Sequence, residues 1–305
     1  MAVTAQQVKE LREITGAGMM DCKNVLVETD GNIDKAIELL REKGLVKAAK
    51  KAGRTASQGI AKIAFAKDGK SAAAVEVNSE TDFVAKNDEF IEFVGTLAGI
   101  VLNNEIPDID ALIAYPYEGE GTVQDALNNK IAKIGENMNI RRFARFAEPG
   151  CTYTGYTHGG GKIGVIVGFA TEADVEEIAV MGKDVAMQVA SMSPKFLTEA
   201  DVDPEYIESE KKIMTQLVLN EGKAPEMVEK IVAGKIKKEI KEVCLASQKF
   251  VKDSEITVEQ YIANFAKEIG KPVKAAAMLR YEVGEGIEKK EENFAEEVAK
   301  QIAGN

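Results

Sequence analysis

The chain has 305 residues, 45% of them apolar and 29% charged, enough for a sizeable core and more than one domain. Fifty acidic against 39 basic side chains leave a net charge of −11, which lacks the basic footprint of a nucleic-acid binder and favours a protein partner. No run of 18 apolar residues is present, and the start, Met1-Ala2-Val3-Thr4-Ala5, lacks a leader pattern. Neither a membrane span nor a signal peptide is therefore expected, and the chain reads as cytoplasmic.

Residues 1–46 read as three short helices, capped first by Thr4 and interrupted at Gly16-Ala17-Gly18 and Asp30-Gly31-Asn32. Ile33, Ala36, Ile37 and Leu40 fall on one helical face, and Gly44 reads as a stop. This small bundle resembles a ubiquitin-associated domain. Residues 47–57, with Lys47, Lys50, Lys51 and Arg54, read as a solvated linker.

Residues 58–148 read as an α+β unit. Strands at 60–66 and 72–78 flank Lys67-Asp68-Gly69-Lys70, a hairpin signal, with Ala73, Val75 and Val77 on one face. A helix is predicted over 82–102 and a strand over 139–147. Residues 149–284 repeat the order: strands at 151–157 and 162–170 about His158-Gly159-Gly160-Gly161, a helix at 172–192 and a strand at 274–283. The register of this repeat can be read directly. Gly69-Lys70 recurs 92 residues later at Gly161-Lys162, whereas Ile134-Gly135 and Arg145-Phe146 recur 135 residues later at Ile269-Gly270 and Arg280-Tyr281. The second copy therefore carries 43 additional residues. Helices at 205–220 and 225–243, within an insertion of about 205–245, account for them, and Val228, Val232, Ile236, Ile240 and Val243 make one stripe. Such an antiparallel hairpin suits self-packing, self-association or a coiled-coil contact with a partner. Residues 285–305 form a tail with an amphipathic helix carrying Phe294, Val298 and Ile302.

Motifs for covalent chemistry fail on context. Gly159, Gly161 and Gly164 fit a dinucleotide spacing but lie between two strands, so they make a turn. His158-Gly159-Gly160-Gly161 fits an esterase oxyanion loop, yet no GxSxG is present and His158 is the single histidine. Gly69-Lys70-Ser71 lacks the earlier glycine of a phosphate loop, Ala64 standing there. Cys22, Cys151 and Cys244 are far apart, without metal-ligand spacing, and read as reduced thiols. Neither a cofactor nor a metal is expected, and the chain does not read as an enzyme.

One segment stands out. Glu76-Val77-Asn78-Ser79-Glu80-Thr81-Asp82-Phe83-Val84-Ala85-Lys86 ends a strand and opens a helix. By local chemistry Thr81 or Asp82 caps that helix and Phe83 enters the core. The run also resembles a signature of the elongation factor Ts family. So do Leu11 to Leu26, His158 to Val165 and Glu282 to Glu288, in family order across essentially the whole chain; residues 103–128 are the least family-like. The resemblance implies an α+β fold: a bundle like a ubiquitin-associated domain, two repeated subdomains with antiparallel sheets, a coiled-coil hairpin and a C-terminal helix. It also implies a guanine nucleotide exchange factor that binds the GDP form of elongation factor Tu and involves neither direct nucleic-acid contact nor a membrane. On that resemblance Thr81, Asp82, Phe83 and Val84 intrude beside the partner's nucleotide and Mg²⁺ site, leaving Phe83 exposed in the free protein. Further contacts fall to Arg12, Met19, Met20, Asp21, Lys23, Asn78, His158 and Gly159. The alternative is an adaptor that joins proteins without changing nucleotide release.

Overall fold

The computed structural model describes residues 3–15, 17–222 and 224–288. Three helices open it: α1 (Ala5–Thr15), α2 (Met19–Glu28) and α3 (Ile33–Lys51). Thr4 Oγ1 accepts the Gln7 N–H at 3.2 Å, and Asn32 Oδ1 accepts the Lys35 N–H at 3.0 Å. Leu11, Cys22, Val25, Leu26 and Ala36 form the core of the bundle. The third helix does not stop at Gly44. It continues to Lys51, so the first part of the expected 47–57 linker is helical. Gly44 is buried, and a Cβ built on it would lie 3.7 Å from the Cβ of Ala132 on a later helix. Close packing at that point overrides the weak helix propensity of glycine.

The first α+β unit follows. It comprises β1 (Gln58–Phe65), β2 (Ala72–Ser79), α4 (Asp82–Ala85), α5 (Asp88–Asn103), α6 (Ile109–Ala114), the short pair β3 (Pro116–Tyr117) and β4 (Gly121–Thr122), α7 (Val123–Ile134) and β5 (Met138–Phe146). The helix expected over 82–102 is broken. Asn87 Oδ1 accepts the N–H groups of Glu89 and Phe90 and starts a second helix, leaving α4 a turn of four residues. The sheet is antiparallel in the order β1-β2-β5. Every residue of β2 is buried. Ala73, Val75 and Val77 pack under α5, whereas Ala72 and Ala74 face a second sheet.

That sheet belongs to the second unit: β6 (Cys151–His158), β7 (Ile163–Thr171), α8 (Val175–Met192), α9 (Pro204–Asn220), α10 (Pro225–Val243), β8 (Lys249–Phe250), β9 (Asp253–Thr257), α11 (Val258–Ile269) and β10 (Val273–Glu282). Its order is β10-β7-β6, again antiparallel. Ala61, Ala72, Ala74, Tyr153, Ile166 and Tyr281 fill the space between the sheets, and the larger helices cover the outer faces. The molecule is thus layered helix–sheet–sheet–helix. Helices α9 and α10 pair through Val218, Val228, Val232 and Ile236. The expected tail helix with Phe294, Val298 and Ile302 lies outside the described residues.

The repeat holds residue by residue. The pair Phe65–Ala72 recurs 92 residues on as Thr157–Gly164. A β-bulge at Arg141 in β5 recurs 135 residues on at Ala276 in β10. Helices α7 and α11 correspond end to end, each opened by a threonine capping box (Thr122, Thr257) and closed by a left-handed glycine (Gly135, Gly270). The copies also clasp each other reciprocally. The Ala61 N–H donates to Gly161 O and the equivalent Tyr153 N–H to Gly69 O, both at 2.8 Å, as a pseudo-two-fold axis requires. One offset differs. Phe90, Phe93, Val94, Leu97, Ala98 and Val101 on α5 match Ile178, Met181, Gly182, Val185, Ala186 and Val189 on α8 only 88 residues on. The first copy therefore holds four residues more than the second between middle strand and helix, the length of α4.

Candidate partner-binding site

Helix α4 leaves the end of β2 with one side chain in and one out. Val84 is buried in the core of the first unit. Its neighbour Phe83 is 80% exposed. The core position that local chemistry gives Phe83 is thus taken by Val84, so Val84 anchors the turn and offers a partner little surface. A fully buried phenylalanine is worth about 1.5–3 kcal/mol relative to an exposed one, and this chain leaves that contribution unused in the free state.

The base of the turn is fixed from the other end of the unit. The Thr81 N–H and hydroxyl both donate to the Glu136 carboxylate, at 2.9 and 2.6 Å. In return Glu80 Oε1 accepts the Asn137 N–H at 2.5 Å. Thr81 occupies the cap position of α4, yet its side chain makes no capping bond to the helix. Asp82 pairs with Lys86 one turn on at 2.6 Å. The hydrogen bond from Lys86, foremost, holds the Asp82 carboxyl below its ordinary range, and the charge of Lys162 on the second unit adds to it.

The other expected contacts fall into two groups. In the bundle, Met19 and Met20 are exposed at the start of α2, and Ile14 and Val27 are exposed as well. Arg12 and Lys23 are also exposed. Asp21 is held by Lys47 at 2.8 Å and Arg54 lies 3.6 Å from Glu80, so two members of the basic run 47–54 are paired within the fold. In the second unit, His158 and Gly159 are exposed at the tip of the β6–β7 turn, where Gly159, Gly160 and Gly161 all have positive φ. The Tyr156 hydroxyl lies 3.1 Å from His158 Nδ1. Asn78 departs from expectation. It is 1% exposed, in a strand covered on both faces, and its amide donates to Gln58 O and Glu76 Oε1. It organises β2 from within and has no free surface for a partner.

Glu136 and Asn137 carry no functional signal in their local sequence. A signal was present in the repeat: Ile134-Gly135 is followed by Glu-Asn, whereas Ile269-Gly270 is followed by Lys271-Pro272. Glu76, the first residue of the signature run, takes a structural place. It is fully buried and accepts from Gly284 N, Asn78 Nδ2, Arg141 and Arg142. Among the described residues no three His, Cys, Asp or Glu side chains cluster as a metal site requires, and no helix is long and apolar enough to cross a membrane.

Residues 80–285 match the family described as Elongation factor TS. The chain is 54% identical over 300 residues to "Elongation factor Ts" of Clostridioides difficile (strain 630), covering 98% of this chain and 99% of that one. It is 52% identical over 298 residues to "Elongation factor Ts" of Clostridium perfringens (strain SM101 / Type A), covering 98% of both. With the protein of the same name from Clostridium kluyveri it shares 51% identity over 304 residues and 99% of both chains. Similarity of this extent, over both repeats, the turn that carries Phe83 and the hairpin, means that the chain belongs to the elongation factor Ts family.

Proposed function

We propose that this chain binds the GDP form of elongation factor Tu and accelerates GDP release, allowing exchange for GTP, without covalent chemistry of its own. The observation that carries the reading is Phe83: an aromatic side chain 80% exposed at the tip of a turn whose base is held by Glu136 and Asn137. Tight GDP binding in a GTPase depends on Mg²⁺ bridging phosphate oxygens and on backbone N–H groups that cradle them. A rigid ring pressed between the elements that carry those groups displaces them and weakens nucleotide binding without breaking a bond. An aromatic suits this role because it brings a large area with little entropy to lose. Asp82, paired with Lys86, brings a carboxylate to the same place.

The remaining contacts supply binding energy for the distortion. Arg12, Met19, Met20, Asp21 and Lys23 form one surface on residues 1–46, and His158 with Gly159 a second on the unit of residues 149–284. Thr81 and Val84 hold the wedge rather than touch the partner's nucleotide site. Coupling of this kind is reciprocal: to the degree that the factor weakens GDP binding, nucleotide weakens factor binding, so the incoming nucleotide expels the factor.

The test is stopped-flow release of a fluorescent GDP from purified elongation factor Tu. A saturable acceleration that falls at least about 10-fold in Phe83→Ala, about 1.4 kcal/mol of lost coupling, with an unchanged melting temperature, supports the wedge. Binding without acceleration by the unaltered chain leaves an adaptor and removes the exchange reading.

A further inference from the structure

We infer that Glu136 is a positioning residue for exchange, setting the direction in which Phe83 projects; the inference rests on the wedge reading above. Three observations carry it. First, both hydrogen-bond donors of Thr81 are committed to one carboxylate 55 residues away, the N–H at 2.9 Å and the hydroxyl at 2.6 Å. Threonine at a helix N-cap ordinarily turns its oxygen onto the first free N–H groups of its own helix. Here it makes no such bond. Helix α4 is four residues long, too short to hold its own direction, so its orientation is imposed from outside. The Glu136 carboxylate supplies the two bonds before the turn, and the buried Val84 side chain supplies the contact within it.

Second, the clasp is reciprocal. Glu80, just before Thr81, accepts the Asn137 N–H at 2.5 Å. Two adjacent residues on one loop thus grip two adjacent residues on the other, which removes rotation as well as translation. Third, the same loop holds the end of α3. Asn137 Nδ2 donates to Arg54 O at 2.7 Å and Ala52 O at 3.4 Å, and Lys51 Nζ donates to Gly135 O. The bundle with Met19 and Met20 and the turn with Phe83 are therefore fixed to a single three-residue loop, Gly135–Asn137. Glu136 itself touches no partner in this scheme. It acts through Thr81, and through Thr81 on Phe83. The second copy has lysine and proline in these positions, and its Lys271 pairs instead with Glu177 on α8.

The experiment measures GDP release from elongation factor Tu across a concentration series of full-length factor, together with thermal unfolding. Variants are Glu136→Ala, Glu136→Gln, Phe83→Ala and Glu136→Ala/Phe83→Ala. Glu136→Ala loses two bonds to a charged acceptor. The maximal release rate should fall about 10-fold, the effect of one such bond, while the half-saturating concentration stays within about twofold. The amide oxygen of Glu136→Gln can accept one of the two bonds, so that variant should fall between wild type and Glu136→Ala. In the Phe83→Ala background the Glu136 change should bring no further loss, because its effect passes through Phe83. Additive losses, or a lower melting temperature with an unchanged maximal rate, overturn the inference. Phe83→Ala slowing exchange while Glu136→Ala exchanges like wild type refutes the positioning role alone. Phe83→Ala exchanging like wild type refutes the wedge, and the positioning role with it.

Discussion

Replacing Glu76 by glutamine tests what joins the first unit to the end of the second. The Glu76 side chain has no exposed surface, while those of Arg141 and Arg142 are 25% and 30% exposed. Its two oxygens take the Gly284 N–H at 2.9 Å, the Asn78 amide at 3.1 Å, Arg141 at 3.1 Å and Arg142 at 2.5 Å. Arg142 also stacks 4.2 Å above the centre of the Tyr281 ring. Removing one partner of a buried pair costs about 3–5 kcal/mol. The arginines keep some access to water here, so the lower end applies, about 3 kcal/mol. At about 2.1 cal/mol/K per residue, 305 residues unfolding together convert this into a fall of about 5 °C in melting temperature. The pH dependence provides a second check. Burial pushes the Glu76 carboxyl up, but the bonds from Gly284, Arg142, Asn78 and Arg141 outweigh it and leave the pKa below its ordinary 4.5. A depressed folded pKa contributes fully above the unfolded value and fades as pH falls through the folded one. Differential scanning calorimetry of wild type and Glu76→Gln should therefore show the full gap at pH 7, narrowing below about pH 4.5. Melting temperatures within 1 °C at neutral pH, or a gap that does not change under acid, would refute the reasoning.

Deleting Asp82–Ala85 should leave a folded protein, since the 88-residue offset of the helix cores marks those four residues as additional to the repeat. Loss of the buried Val84 costs about 2 kcal/mol, and GDP release should fall at least as far as in Phe83→Ala; absence of cooperative unfolding in calorimetry would show that the turn is part of the frame. The Cys244 thiol, pushed by burial and then by the charges of Glu199 and Asp201 to about 11, should react with a thiol reagent at pH 8 about a hundredfold more slowly than a free thiol. Labelling at the rate of glutathione would contradict its buried placement.

Where capping chemistry and apolar period agree, the elements could be read from the residues. Helix α10 spans Pro225–Val243, the range its opening proline and apolar stripe mark, and β2 alternates as its two covered faces require. Errors arose where a distant contact decides. Gly44 reads locally as a stop, but Ala132, 88 positions away, packs against it and carries α3 onward. Asn78 lies within the signature run and reads as a partner contact, yet it is buried in a strand covered on both faces. Asn87 lies inside an apolar pattern that continues past it, and only its side-chain bonds to Glu89 and Phe90 reveal the break. Phe83 is the sharpest case. Hydrophobicity sends it inward, and its exposure followed only from the family resemblance. The clasp by Glu136 could not be found in either copy alone, because it joins residues 55 apart through hydrogen bonds that carry no periodicity.

The comparison of the two copies explains why one of them carries the site. Both begin from the same frame: three antiparallel strands, a bulge at the same position, and a helix packed by the same six positions. In the second copy Asp174 opens α8 with a capping box to Glu177, Lys271 secures Glu177, and the helix runs unbroken for 18 residues. The chain passes from strand to helix with its polar groups spent locally. In the first copy four further residues stand at that junction: Thr81 is redirected to the distant Glu136, while Asp82 pairs with Lys86 and Asn87 caps the next helix. The hydrophobic demand of the junction is met by Val84, with Ala85 beside it, so Phe83 is not needed in the core. A duplicated scaffold supplies the rigidity, therefore, and an insertion of one turn supplies the protruding group. Because the helix behind the turn keeps its core register, the protrusion could be added or removed without disturbing the fold that aims it.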